Sequence, residues 1–247
     1  MSASCLGDCS VPRGALDAPR APGKTGAVKT VLAIAACGPR LELALGSASG
    51  VAGLVALAGQ TPRSELVMAA VDLLLRGAGI GREALEGVVA SRGPGSFTGV
   101  RVALATAQGL AAALAIPAHA FSSLLAQAGR ADVPECLAVQ PARRGFAYAQ
   151  EFSRARGALT AAQEPQIVTV ESLAGSGVPV VAPAGFALPP ATPLAAALRS
   201  TAEALLILLA AEPHPDPATL APTYLEPPPA TPPTGAPPSW PPSPKAS

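Results

Sequence analysis

Residues 91–114 read SRGPGSFTGVRVALATAQGLAAAL. A short apolar run, Val88, Val89 and Ala90, leads into a Gly93-Pro94-Gly95 turn, after which Ser96 or Thr98 caps a helix. This is the strand–turn–helix layout of a phosphate loop, whose helix-start N–H groups hold an anion. The chemistry of such loops is missing. A Walker loop needs a lysine after its second glycine. Here Arg101 is the only cation after the turn, and it lies inside the helix. The dinucleotide pattern GxGxxG fails because Gly99 comes one residue late, and the hydrolase elbow GxSxG is absent because Ser96 directly follows Gly95. A nucleophilic serine also needs a base. The chain has two histidines, His119 and His214, and the second stands among prolines.

The helix behind the turn is more informative. At about 100° per residue, Val100, Ala103, Leu104, Ala107, Leu110, Ala111 and Leu114 share one face, which suits burial against a sheet. The opposite face carries Val102, Ala105, Thr106, Gly109 and Ala113 in place of charges. A helix apolar all round is covered all round. Small residues let a second helix approach at the lower end of the ~8–10 Å interaxial range. The cover is either a helix of this chain, such as the apolar stretch 193–211, or a partner chain. Helix-packing physics alone favours the internal one.

Bulk composition narrows the function classes. Among 247 residues, 17 basic and 16 acidic side chains nearly cancel, so no charge excess points to nucleic acid or a membrane surface. Aromatics make up 3% of the chain while apolar residues reach 49%, so the core must be Ala, Val and Leu. Cys5, Cys9, Cys37 and Cys136 make no paired framework, and the CLGDC stretch has no second pair to complete a zinc site. Free thiols suit a reducing, cytoplasmic setting. The apolar run at 204–211 is far short of the ~20 residues that a membrane span needs.

Outside the quoted stretch, residues 1–28 lack periodicity and read as a disordered leader; residues 227–247 read as a disordered Pro-rich tail. Between them, three short runs at 30–35, 41–45 and 53–57 form a meander punctuated by Cys37-Gly38-Pro39 and Gly46-Ser47. In TPRSELVMAAVDLLLRG, Thr61 suits an N-cap, Pro62 the first helical position and Gly77 the stop. Leu66, Ala69, Ala70, Leu73 and Leu74 mark its apolar face. This completes a first α/β lobe over residues 29–120. A second lobe, 121–192, opens on a helix capped by Ser122 and continues through strands at 137–140, 146–152, 167–170 and 178–181. A last helix over 193–211 leads to a closing segment ending at residue 226. Two similar small α/β units follow from this order.

The quoted stretch resembles the signature of the TsaB (YeaZ) family, bacterial proteins of tRNA threonylcarbamoyladenosine synthesis. The weaker segments SELVMAAVDLLL, PARRGFAY and PTYLE resemble family segments in the same order, over residues 31–225. The resemblance implies a two-lobed actin-like (ribonuclease-H-like, ASKHA) fold and a subunit without catalytic residues, cofactor or metal. It implies pairing with the transferase TsaD through first-lobe helices, an ATPase, TsaE, joining the complex, and tRNA met only within it. Alone, such proteins pair with themselves through the same surface. The signature turn is then Gly93, Pro94, Gly95, Ser96, Phe97, Thr98, Gly99 and Arg101, and the expected interface is Val102, Ala105, Thr106, Gly109, Ala113, Leu66 and Ala70. The alternatives within this fold are an ATPase, a glycoprotease-like peptidase, or a stand-alone homodimer.

The chain departs from the family pattern at polar positions. Relatives keep an IDT-like triplet at the end of the first strand, where this chain has Ile34-Ala35-Ala36. In the segment usually reading DARxGEVY, Pro141 replaces the acid and Phe146 the glutamate. Ala182-Pro183-Ala184 stands near the GDG-like turn, and Glu226 stands for the closing arginine. For the remaining polar residues, the plain reading makes His119 a loop or solvent-side residue, Arg143-Arg144 a solvated turn, and Trp240 an exposed tail residue.

Overall fold

The computed structural model describes residues 30–47, 50–211 and 220–226. The leader at 1–28 and the Pro-rich tail at 227–247, with Cys5, Cys9, His214 and Trp240, lie outside the described residues. The first lobe is built on β1 (Val31–Ala35), β2 (Leu41–Ser47), β3 (Gly50–Leu57), α1 (Arg63–Gly77), β4 (Gly87–Ser91), α2 (Phe97–Leu114) and β5 (Ala118–Phe121). Its sheet runs β3-β2-β1-β4-β5. The meander β1–β3 is antiparallel, whereas β4 and β5 join in parallel, with Leu32 opposite Leu45 on one side and Val88 on the other.

The central strands are apolar on both faces because both faces are covered. Leu32, Ile34, Val88 and Ala90 point to the side of α1 and α2, where they meet Val67, Val71, Val100, Ala103 and Ala107. Val31, Ala33, Ala35 and Val89 point to the other side and meet Ala202, Leu205 and Leu206 of α4 (Thr201–Ala211). The period-2 alternation of the strands thus sorts one sheet between two helix layers.

The second lobe repeats the plan with less helix. After α3 (Ser123–Ala128) come β6 (Glu135–Pro141), β7 (Phe146–Ala155), β8 (Ala158–Ala161), β9 (Gln166–Thr169) and β10 (Val180–Val181). Its sheet is ordered β10-β6-β7-β8, and β9 pairs with the other end of β7. Again an antiparallel hairpin, β6–β7, carries a parallel strand, β10, on its far side. α3 covers one face through Leu124 and Ala128. The opposite face closes on Leu173, Phe186 and Leu188 from loops and a 3-10 turn, Glu171–Gly175. Two sheets with this shared strand plan make the two-lobed actin-like fold.

The structure moves several sequence expectations. α1 is capped at Pro62, which is extended, and the left-handed stop is Gly79, whose φ of 67° no branched side chain adopts easily. Gly77 remains inside the helix. The buried face of α1 is Val67, Ala70, Val71, Leu74 and Leu75; Leu73 is 60% exposed and Ala69 is exposed. The last helix begins at Thr201, eight residues later than expected. Residues 193–195 extend instead along β10, where Val180 donates to Pro193 O at 2.6 Å and Ala195 donates to Val180 O at 3.0 Å. Ser200 then starts the helix with Glu203 in a reciprocal capping box: Glu203 N to Ser200 Oγ at 3.1 Å, Ser200 N to Glu203 Oε2 at 2.7 Å. The Glu42 carboxylate takes Thr201 N at 2.7 Å, which ties the helix to β2. The short strands β5 and β8 add to the elements that the sequence pattern predicts.

Glycines separate into packing and surface positions. A Cβ on Gly99 would strike the Ala36 carbonyl, whereas one on Gly109 would meet nothing within 4 Å. Gly99→Val is therefore expected to destabilise the chain by ~2 kcal/mol or more, as overpacking against backbone does. Gly109→Ala is expected to leave stability unchanged or raise it by up to ~1 kcal/mol through helix propensity. Urea denaturation of both variants checks the contrast.

Candidate functional site

The turn at residues 93–99 sits where the two lobes face each other. Its glycines are there for backbone contact. Gly93 and Gly95 have φ of 98° and 150°. A side chain on Gly93 would run into the Thr223 carbonyl, one on Gly95 into the Cys37 carbonyl. With Gly99 against Ala36, the three glycines press the turn onto the end of β1 and onto residue 223. Two of the N–H groups at this helix start are engaged at home: Ser96 N donates to Cys37 O at 2.9 Å, and Gly99 N donates to Ser96 Oγ at 3.2 Å. Ser96, not Thr98, is the cap, and Thr98 is exposed.

Ser96 is a structural serine. Its Oγ also accepts from Arg63 at 3.2 Å, and the same guanidinium donates to Gly38 O at 2.7 Å. Pro94 follows a cis bond from Gly93, and its carbonyl accepts from the Ser123 hydroxyl. Ser123 N donates to Gly93 O at 2.8 Å, so the first turn of α3 is clamped to the loop. Cys37 Sγ lies 3.0 Å from Ser91 Oγ. Burial pushes its thiol up from the ordinary 9.0 to about 11, against smaller opposing effects of Ser91 and Arg63. At neutral pH this thiol is almost wholly protonated, which makes it slow to react and ill-suited to act as a catalytic nucleophile.

The turn forms one wall of a cleft of about 670 Å³ between the lobes. Cys37, Arg63, Ser96 and Phe97 line the first-lobe side; Pro141, Arg143 and Tyr148 line the second; residues 223–226 run between them. Phe97 and Tyr224 stack with centroids 5.2 Å apart, and Arg101 lies 3.9 Å over the Phe97 ring with its Nε 3.4 Å from Tyr224 OH. Arg143 stands in the exposed turn expected, with its side chain 60% exposed, but it is not free of partners. It lies 4.2 Å over Phe146, one of the family departures, and pairs with Glu226, another. Tyr148 OH donates to Glu226 Oε2 at 3.2 Å. Ala35, where relatives carry a carboxylate, is 4% exposed and packed in the cluster under α4. His119 is half-buried in β5, in register with Val89, rather than in a loop.

A second concave surface lies on the outer side of the first lobe, between α1 and α2, with a volume of about 1230 Å³. Val102, Ala105, Thr106, Gly109 and Ala113 of the expected interface all line it. The stretch 193–211 does not cover it, because α4 packs on the opposite face of the sheet. The internal cover favoured on sequence grounds is thus absent among the described residues. From α1 the groove takes Val67, Met68, Val71 and Leu75. Ala70 is buried at 3% exposure and Leu66 packs on the core, so neither lines the groove. The register of α1 on the sheet, invisible in its periodicity, makes that difference. By length and composition α2 is the one described helix that could cross a membrane, yet its Val100, Ala103, Leu104 and Ala107 face is buried on the sheet.

Comparison with known proteins follows the same geometry. Residues 53–196, more than half of the chain, match the family model described as "TsaD: tRNA N6-adenosine threonylcarbamoyltransferase". Proteins named tRNA threonylcarbamoyladenosine biosynthesis protein TsaB are similar in sequence. The one from Haemophilus influenzae is 38% identical over 69 residues, covering 28% of this chain and 29% of that protein. The one from Bacillus subtilis is 38% identical over 94 residues, covering 37% and 41%. The one from Escherichia coli is 30% identical over 109 residues, covering 42% and 47%. The chain therefore spans less than half the length of the curated relatives it matches. The solved structure of YeaZ from Pseudomonas aeruginosa superposes with a TM-score of 0.62 at 24% identity, over 80% of this chain and 100% of that one, and so shares the fold.

The buried thiol yields a pH prediction. Cys37 holds its proton more tightly folded than unfolded, so its contribution is complete below about 9 and is lost as pH rises towards about 11. Unfolding free energy should fall across that window by up to ~2 kcal/mol. Cys37→Ala should flatten the slope, as read from urea midpoints at the two ends.

Proposed function

The chain belongs to the TsaB (YeaZ) branch of the TsaD threonylcarbamoyltransferase family, and from that premise we propose that it is a non-catalytic, cytoplasmic scaffold subunit in the synthesis of threonylcarbamoyladenosine in tRNA. In this reading it pairs with TsaD through the α1–α2 groove, TsaE joins that assembly, and tRNA is met only through the complex. The observation that carries the proposal is the groove. Two helices leave a continuous apolar channel open to solvent, with Met68 51% exposed and Ala105, Gly109 and Ala113 bare along α2. Residues four apart form a ridge, and three small ones in a row make a flat track for another helix. The rim carries Arg76, Arg82 and Arg101 against Asp72, which suits a partner with an acidic rim.

The inter-lobe turn supports the same reading from the other side. Its serine is a cap, its thiol is protonated, and its glycines face backbone. None of these is arranged as a nucleophile with a base.

Co-expression with TsaD tests the proposal. The two chains are expected to co-purify as a stable pair. Ala105→Arg and Gly109→Arg are each expected to weaken the pair about 30-fold or more, because each buries an unpaired charge costing ~2 kcal/mol or more at the interface. Circular dichroism and melting temperature should stay at wild-type values, since both sites are exposed in the lone chain. Survival of the pair in both variants overturns the interface. A homodimer whose mass in solution does not change on adding TsaD overturns the scaffold reading in favour of a stand-alone dimer.

A further inference from the structure

We propose that residues 220–226 form a strap that sets the width of the inter-lobe cleft, with Glu226 as its latch on the second lobe. The segment is anchored at both ends to different cores. Leu220 packs on the first-lobe cluster, and its carbonyl accepts from Gln108 Nε2 at 3.4 Å. Thr223 N donates to Arg92 O at 2.7 Å, beside the turn that Gly93 keeps open for it. Tyr224 stacks on Phe97. One residue later the chain has crossed over: Leu225 packs against the second-lobe cluster, and Glu226 pairs with Arg143 while accepting from Tyr148. Consecutive residues thus hold opposite walls of one cleft, within the ~3.5 Å per residue that an extended chain spans.

Charge makes Glu226 the releasable end. Among the described residues lining the cleft it is the one carboxylate, facing the guanidinium groups of Arg63 and Arg143. Arg63 is held by two first-lobe partners, Ser96 Oγ and Gly38 O. Arg143 has no carboxylate partner other than Glu226 among the described ion pairs. Its side chain is 60% exposed and that of Glu226 20%, so solvent ions reach the latch. An anion drawn to Arg143 competes with Glu226 for the guanidinium. The replacements at 141, 146 and 226 then form one set. With Pro141 and Phe146 in place of acids, Arg143 finds its ring in Phe146 and its carboxylate at the far end of the chain.

Alkylation of the full chain with N-ethylmaleimide, read at Cys37 and Cys136 by peptide mass spectrometry, tests the strap. Cys37 lines the cleft, whereas Cys136 is buried in the second-lobe core, so their ratio reports cleft opening rather than unfolding. Glu226→Gln is expected to raise the Cys37 rate about two- to fivefold with Cys136 unchanged, the size expected of a partly exposed ion pair. Exchanging the charges, R143E with E226R, is expected to restore the wild-type ratio. About 0.5 M NaCl is expected to raise the ratio in the wild type and not in E226Q. Tyr224→Ala, which frees the first-lobe anchor, should act in the same direction as E226Q. An unchanged ratio in E226Q overturns the proposal. So does a parallel rise at both thiols, or an exchanged pair that stays at the single variant's ratio.

Discussion

Three glycines pressed against three carbonyls hold this molecule together at its centre. Gly99 lets the start of α2 rest on Ala36, Gly95 lets the turn lie on Cys37, and Gly93 admits Thr223. Each contact leaves no room for a methyl group. Because α2 begins in contact with the end of β1, its Val100, Ala103 and Ala107 side falls onto the sheet and its Ala105, Gly109 and Ala113 side falls outward. The same turn carries the hydrogen bonds that bring α3 under it and the closing segment beside it. Fold, groove and cleft therefore share one origin in close backbone approach.

The resulting site has the outline of an anion loop with two of its donors already engaged. A loop that binds phosphate keeps its N–H groups pointing at empty space. Here Ser96 N and Gly99 N donate within the protein, and the Ser96 hydroxyl oxygen accepts from Gly99 N and Arg63. Small side chains fill the position at the end of β1 where relatives have a carboxylate, and the Ala35 methyl packs under α4. Polar losses at the cleft are matched by new pairings, Arg143 with Phe146 and Glu226, so the departures leave no isolated charge on the second-lobe wall.

Much of this was legible in the chain. The order of strands and helices, the two faces of α2, Ser122 and Ser96 as caps, and the meander before α1 all rest on local pattern, and local pattern survives folding. Ser200-Thr201-Ala202-Glu203 is a capping-box signature that marks where α4 starts, and the apolar run before it hid the signal. Strands of four residues such as β5 and β8 are too short for alternation to show. The periodicity of α1 leaves its buried face ambiguous by one position, because Leu66, Ala69, Ala70, Leu73 and Leu74 fit a helical stripe as well as Val67, Ala70, Val71, Leu74 and Leu75 do. Only contact with β2 and β3 chooses between them.

The sequence by itself determined what depends on neighbours a few residues apart: the tight turn, the doubly apolar helix and the succession of two α/β lobes. Tertiary structure alone decided what depends on distant partners. It placed α4 on the face away from α2, left the groove open, and turned Ala70 inward. It also brought Glu226 to Arg143 across 83 positions of chain. Such pairings are set by how the two sheets pack and where the chain returns, and no periodicity in a single segment encodes them.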